Sequence, residues 1–106
     1  MKHIDLHSHV IPETIIRAMP EQPDVYNTQI EGEGDKRVFV RGKTRFELLP
    51  EFYDAQAKVE SMDRKGLTIS VISPGPQSFF YNLTDADLAL RTARLVNEGV
   101  AQMVAQ

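Results

Sequence analysis

Polar and apolar residues alternate along the first ten positions of the chain. Because successive side chains of a β-strand point to opposite faces, this alternation predicts a strand over residues 3–8. One face of this strand and its end would carry the polar side chains, which are His3, Asp5, His7 and His9. The other face would carry Ile4, Leu6, Ser8 and Val10, and it is apolar enough to pack against a neighbouring element.

Apolar residues recur at spacings of three and four in two later segments. This periodicity predicts amphipathic helices over residues 51–65 and 85–105. The apolar stripe of the first helix would consist of Phe52, Ala55, Val59 and Met62. Gly66 suits the position just past its end, and Gly99 inside the second helix indicates a close contact with the sheet. Between the helices, the β-branched run at residues 67–73 predicts a strand covered on both faces.

The segment between the first strand and the first long helix has a different character. Residues 13–19 predict a short helix that ends before Pro20. Residues 20–37 contain two prolines and two glycines among polar residues, which predicts a long loop. Two β-prone runs then flank Gly42-Lys43, which predicts a β-hairpin over residues 38–48. The order of strand, hairpin, helix, strand and helix predicts an α/β fold with a parallel sheet.

Two histidines on one face of a strand are candidate metal ligands. His7 and His9 would lie roughly 6–7 Å apart along the backbone, close enough for both imidazoles to bind one ion. Asp5 could orient one of these rings, as carboxylates commonly do beside ligating histidines. The chain has no cysteine, so a thiolate site is excluded. An H-x-H pair also arises by chance, and the spacing alone leaves that interpretation open.

Three blocks of sequence, in order, resemble one enzyme family. The run Ile4-Asp5-Leu6-His7-Ser8-His9-Val10-Ile11-Pro12 resembles the opening of the amidohydrolase-2 family, which includes aminocarboxymuconate-semialdehyde decarboxylase. The run from Met62 to Ser73 resembles the end of that family's first long helix and its second strand. The run Leu95-Val96-Asn97-Glu98 resembles its next helix.

The resemblance implies a metal-dependent (β/α)8 TIM barrel. It implies that His7 and His9 bind one divalent metal ion, most plausibly zinc, together with a further His and an Asp from later strands. The implied reaction is decarboxylation of an unsaturated or aromatic carboxylic acid, and hydrolysis of C–O or C–N bonds is the alternative. The partner would be a small-molecule carboxylic acid, and the full-length enzyme would be a homodimer.

The resemblance also places an insertion, here residues 20–48, after the first strand and over the mouth of the barrel. An arginine from this insertion can contact a substrate carboxylate, and Arg41 and Arg45 are the two candidates. Solvated hairpin arginines are the alternative interpretation for both. The loop from Pro74 to Leu83 would reach the same mouth, and its expected pocket-facing members are Gln77, Ser78, Phe79, Phe80 and Tyr81. Packing under the loop is the alternative for Phe79 and Phe80, and it is favoured for one of them.

Length and composition limit what the chain does alone. It has 106 residues, whereas such a barrel takes about 250, so residues 1–106 are expected to form one partial domain with the first βα units. A truncated, non-catalytic piece with only a structural or interaction role is the remaining alternative. The net charge of −3, with acids and bases interspersed, argues against binding to nucleic acid. The absence of a signal peptide and of a long apolar run predicts a cytoplasmic protein that does not bind membranes.

Overall fold

The computed structural model describes residues 3–78, 83 and 85–105, and these form an α/β structure. The helices and strands, in chain order, are β1 (Ile4–Val10), α1 (Glu13–Ala18), α2 (Pro23–Tyr26), β2 (Gln29–Glu31), β3 (Val38–Arg41), β4 (Thr44–Glu47), α3 (Ala55–Lys65), β5 (Ile69–Pro74) and α4 (Ala86–Ala105). Short 3-10 turns lie at residues 19–21, 50–52 and 76–78. The predicted α/β class is confirmed.

The strands form two separate sheets. Strand β1 lies beside β5, and the two run parallel, as the order of elements predicts. The other strands form an antiparallel sheet in the order β2-β3-β4. Two parallel strands are too few to close a barrel, so the described residues contain no closed barrel.

The insertion is more regular than the sequence pattern indicates. The hairpin is confirmed, because β3 and β4 pair antiparallel on either side of Gly42-Lys43. Gly42 has a φ of +57°, the left-handed region that two-residue hairpin turns need. The predicted loop over residues 20–37 is wrong in part, since β2 pairs with β3 as a third strand and α2 forms one helical turn. Strand β2 has three residues and one apolar side chain, so it is too short to give a periodic signal.

Helix α3 begins later than predicted, at Ala55 instead of residue 51. The side chain of Asp54 caps it, because Oδ1 accepts a hydrogen bond from the backbone N–H of Gln56 at 2.9 Å. Its end is as predicted, with Gly66 in the left-handed region at a φ of +73°.

The buried face of α3 differs from the predicted stripe. Val59 is 47% exposed, whereas Ser61 is buried. Lys58 faces β1, where its Nζ donates a hydrogen bond to Ser8 Oγ. The hydroxyl of Ser61 donates to Glu51 Oε2 at 2.6 Å. These two hydrogen bonds favour the observed rotation of α3 about its axis. The spacing of apolar residues cannot predict this rotation, because the contacts are made by polar side chains.

The main apolar core lies between α1, the insertion and α4. Its buried members are Ile11, Ile15, Ile16, Met19, Tyr26, Phe39, Leu48 and Val96. A smaller cluster of Val10, Ala55 and Met103 joins β1 to α3 and α4. Among the described residues, no helix combines the length and the apolar character that crossing a membrane requires.

Helix α4 packs very closely against the start of α1. A Cβ added at Gly99 would lie 2.3 Å from Pro12 Cβ and 2.4 Å from Thr14 Oγ1. The Thr14 hydroxyl also donates a hydrogen bond to the Leu95 carbonyl at 2.6 Å. The sequence correctly indicated a close contact at Gly99. The predicted partner was wrong, because these nearest atoms belong to residues at the start of α1 and not to the sheet.

An ion pair connects α1 to the insertion. The two Nη atoms of Arg37 donate to Glu13 Oε1 at 2.7 Å and to Oε2 at 2.8 Å. The Arg37 guanidinium also lies 4.5 Å from the centroid of the Tyr53 ring. The hydrogen bonds from Arg37 hold the pKa of Glu13 below its ordinary value, against the opposing effect of partial burial.

We expect Glu13→Gln to lower the free energy of unfolding by about 1.5 kcal/mol at pH 7, because a charge-assisted pair becomes a neutral contact. The folded-state pKa of Glu13 is depressed. Its stabilisation is therefore present above the ordinary carboxyl pKa and lost as the pH falls through the folded-state value. Thermal melts of parent and variant between neutral and acidic pH should converge at the acidic end. A difference that does not depend on pH would contradict this prediction.

The matched control for this prediction is Glu31→Gln on β2. Glu31 pairs with Arg45 at 2.6 Å, and both side chains are about half exposed. Because water screens such pairs, this variant should change the melting temperature much less than Glu13→Gln.

Candidate metal centre

The two candidate ligands lie where β1 departs from a regular strand. Between Asp5 and Ser8, β1 advances three residues while β5 advances two, from Ser70 to Ile72. This extra residue is the mark of a β-bulge, which bends a strand and re-aims its side chains. The side chains of β1 therefore switch faces of the sheet just before the C-terminal end of the parallel pair.

The bulge separates Asp5 from the histidines. Asp5 is in register with Ser70 and His9 with Ser73, and residues three apart on β5 point to opposite faces. The prediction that Asp5 shares a face with His9 is therefore wrong. Asp5 Oδ1 instead accepts a hydrogen bond from the backbone N–H of His7 at 3.1 Å. This contact holds the backbone at the bulge and does not involve either imidazole ring.

The rings of His7 and His9 meet on one face of β1. Their Nε2 atoms are 2.9 Å apart, their ring centroids are 4.5 Å apart and their planes are inclined at 82°. The two rings share a face of β1, as predicted, and their Nε2 atoms are within hydrogen-bonding distance of each other. Their binding to a common metal ion stays a prediction. Both histidines are exposed at the surface of the described chain, so small ions have access to the pair.

Ser73 contacts the second nitrogen of His9. Its Oγ lies 3.3 Å from His9 Nδ1, and the two residues are in register across β1 and β5. A polar partner on one imidazole nitrogen fixes the ring and leaves the other nitrogen for a ligand. Ser73 is not among the site residues that the sequence predicts. A hydroxyl at the end of the next parallel strand was the available signal.

The geometry of the pair fits two ligands of one metal ion. Nitrogens bound to a tetrahedral zinc ion at about 2.0–2.1 Å are about 3.3 Å from each other. The observed 2.9 Å between the Nε2 atoms reaches that separation with a small rotation of either ring. Among the described residues, no group of three His, Cys, Asp or Glu side chains could hold a metal ion. The pair therefore supplies two positions, and the others would be filled by water or by residues outside the described ones.

The two candidate arginines lie on the insertion. Arg41 Nε donates to Thr28 Oγ1 at 2.9 Å, and its guanidinium lies 4.9 Å from the centroid of the Phe39 ring. Burial lowers the pKa of Arg41 from its ordinary value. Arg45 is exposed and pairs with Glu31. Neither arginine is among the described residues that line the cavity next to His9, so contact with a substrate stays a prediction for both.

A cavity of about 370 Å³ adjoins His9 and extends to the insertion. Its described lining consists of His9, Ile11, Phe46, Glu47, Phe52 and Pro76. Four of these six side chains are apolar, and the volume lies within the usual range of small-molecule sites. Phe46 and Phe52 are not among the site residues that the sequence predicts. The signal for Phe46 was its place as an isolated apolar residue inside a polar strand.

Part of the predicted mouth is outside the structure. Phe79, Phe80 and Tyr81, which were expected to face a pocket, lie outside the described residues. Comparison of the sequence with protein-family models gives no match. The resemblance to the amidohydrolase-2 family therefore stays a hypothesis, and it depends on the three blocks of sequence given above.

Proposed function

We propose that this chain supplies the first metal-binding strand of an amidohydrolase-2-like (β/α)8 barrel enzyme, which decarboxylates an unsaturated or aromatic carboxylic acid. The observation that carries the proposal is the approach of the two Nε2 atoms of His7 and His9, 2.9 Å apart, at the C-terminal end of a parallel strand. Barrel enzymes keep their reactive side chains at that end of their strands.

Exposed apolar side chains on both parallel strands support a larger sheet. Ile4 and Leu6 on β1 are 52% and 77% exposed, and Ile69 and Val71 on β5 are 46% and 51% exposed. Parallel sheets in proteins are almost always covered on both faces by other elements. Further strands and helices of a barrel would cover these side chains.

Each residue of the site has a task in this proposal. The Nε2 atoms of His7 and His9 would hold a divalent ion, zinc in the first instance, which supplies a Lewis acid that stabilises negative charge on the substrate. Ser73 orients the ring of His9, and Asp5 holds the backbone of His7. Phe46 and Phe52 in the cavity wall would exclude water from the apolar part of the substrate.

The test is turnover by the protein in its complete natural chain. A panel of unsaturated and aromatic carboxylic acids is incubated with metal-loaded enzyme, and release of carbon dioxide is measured. His9→Ala should lower the turnover by at least about 100-fold, and Ser73→Ala by about 10-fold, since partners of ligands contribute less than ligands. His3→Ala, an exposed histidine outside the pair, is the control that should keep turnover unchanged.

The remaining outcomes distinguish the alternatives. Hydrolysis of esters or amides without release of carbon dioxide would overturn the decarboxylase assignment and favour the hydrolase. Failure of the complete protein to bind zinc, cobalt or manganese would contradict its assignment as a metal-dependent enzyme. A structural or interaction role would then remain.

A further inference from the structure

We propose that strand β4, the free edge of the insertion sheet, binds the same edge of a second copy of this chain. The two β4 strands would run antiparallel about a two-fold axis at Phe46, and they would join two three-stranded sheets into one continuous sheet. The order of charges along β4 favours a second copy over other partners. This inference does not depend on metal binding or on the reaction proposed above.

Strand β4 forms an open edge. The insertion sheet has the order β2-β3-β4 and is separate from the parallel pair of β1 and β5, so further strands of the proposed barrel would not extend it. In the described part of the chain, no backbone hydrogen bond from another element reaches the outer side of β4. Thr44, Arg45 and Glu47 are exposed. An edge of this kind can accept a strand from another chain.

The backbone groups that β4 presents at this edge belong to Arg45 and Glu47. In an antiparallel ladder, alternate residues direct their N–H and C=O groups towards the same neighbouring strand. Leu48 donates its backbone N–H to the Arg37 carbonyl at 2.9 Å, on the side of β3. Phe46, two residues earlier, also directs its backbone groups towards β3. The N–H and C=O groups of Arg45 and Glu47 therefore point outward.

The opposite edge of the insertion sheet, β2, offers fewer groups. Gln29 and Glu31 pair with Val40 and Val38, whose backbone groups point away from β4. Of the three residues of β2, only Ile30 therefore directs its N–H and C=O outward. A second strand would gain fewer hydrogen bonds at β2 than at β4.

The order of charges on β4 selects one register. Arg45 and Glu47 are two residues apart, so their side chains lie on the same face of the sheet. With the two-fold axis at Phe46, Arg45 of each copy lies opposite Glu47 of the other, and these residues form the hydrogen-bonded pairs. An axis at Arg45 or at Glu47 would place like charges opposite each other, which destabilises a strand pair. The strand is therefore complementary to itself in the register centred on Phe46.

Both charged side chains are available for a second copy. The carboxylate of Glu47 forms no hydrogen bond or ion pair with the described residues. Arg45 is 58% exposed and pairs with Glu31 through one of its three guanidinium nitrogens, Nη2, at 2.6 Å. Because a guanidinium carries five N–H donors, Arg45 can keep this pair and also donate to Glu47 of the second copy.

Phe46 lies at the axis, on the face opposite to the charges. There the two Phe46 rings form a non-hydrogen-bonded pair, in which the side chains of neighbouring strands approach most closely. Within one chain, Phe46 stacks on Phe39 with ring centroids 4.7 Å apart, and it lines the cavity beside His9. The Phe46 ring of the second copy would therefore add to the aromatic wall next to this cavity.

Sedimentation velocity on the chelator-treated, complete natural chain measures the self-association. We expect a reversible dimer at a protein concentration of about 100 µM, because a short strand pairing gives a small interface. Arg45→Glu and Glu47→Arg each place like charges opposite one another, and each should weaken the dimer by at least about 10-fold. Glu31→Gln, the matched control, removes the partner of Arg45 within the chain and should leave the dimer intact.

Mixing the two charge variants tests the register. The Arg45→Glu copy presents two carboxylates and the Glu47→Arg copy presents two guanidinium groups, so every pair in the mixture has opposite charges. We expect the mixture to form a one-to-one dimer under conditions where each variant alone is monomeric. This rescue requires both variants to be folded, so it separates a lost interface from a lost fold.

A disulfide cross-link locates the axis. Residues 1–106 contain no cysteine. Under mild oxidation Phe46→Cys should give a linked dimer, since the Cα atoms of a non-hydrogen-bonded pair are about 4.5 Å apart, within the range of a disulfide. Arg45→Cys is the matched control and should not link, because Arg45 lies opposite Glu47.

Three outcomes would overturn the inference. A monomeric parent would leave the β4 edge to another segment of the complete chain or to a different protein. A dimer that neither charge variant weakens would place the interface elsewhere. A mixture of the two charge variants that stays monomeric would contradict the register. Failure of metal binding with an intact dimer would overturn the proposed function alone.

Discussion

Gly99→Ala should destabilise the protein by about 2 kcal/mol, although alanine is the better helix former. In an open helix this substitution would stabilise by about 1 kcal/mol. Here the new methyl group would lie 2.3 Å from Pro12 Cβ, an atom of a rigid ring. Overfilling of this kind costs about 1–3 kcal/mol, and displacement of Thr14 would also weaken its hydrogen bond to the Leu95 carbonyl. Urea unfolding followed by circular dichroism should show the loss, with a melting temperature lower by about 10 °C.

The direction of the stability change in Gly99→Ala distinguishes a close contact, which destabilises, from an open helix, which would be stabilised. A stabilised Gly99→Ala variant would mean that α4 does not approach α1 as closely as the structure shows. Ala101→Gly on the same helix is the control, because Ala101 is exposed and its change reports helix propensity alone. We expect that control to cost about 1 kcal/mol.

The elements that follow from local chemistry could be predicted from the sequence. The turn at Gly42-Lys43, the end of α3 at Gly66 and the parallel pairing of β1 with β5 all agree with the structure. Each of these depends on residues close together in sequence, or on the alternation of strands and helices. The approach of His7 to His9 could be predicted for the same reason, because both belong to one strand.

Features that depend on distant partners could not be predicted. The bulge in β1 is visible only when its register with β5 is known, and it moves Asp5 to the other face from His9. Ser73 joins the site because it is in register with His9, 64 residues away along the chain. The rotation of α3 follows from the hydrogen bond of Lys58 to Ser8, which no periodicity in α3 reports.

His7→Ala should greatly weaken metal binding while leaving the metal-free protein folded. His7 is exposed, so its truncation removes little packing, and such surface changes usually alter stability by less than about 0.5 kcal/mol. In the proposed site His7 is one of the two ligands that this chain supplies, so its loss should weaken zinc or cobalt binding by at least about 100-fold, more than the loss of a partner of a ligand. Cobalt absorption spectra and calorimetric titration with zinc measure the affinity directly.

Stability must be compared in the metal-free state and again with metal, because a bound ion itself stabilises the fold. At a zinc concentration of about 100 times the dissociation constant, the parent gains about 2.7 kcal/mol by mass action. His7→Ala should gain almost nothing at the same concentration, so the two melting curves separate only when zinc is present. His3→Ala should behave like the parent under both conditions. If metal-free His7→Ala melts far below the metal-free parent and still binds one zinc ion when folded, His7 supports the fold and is not a ligand.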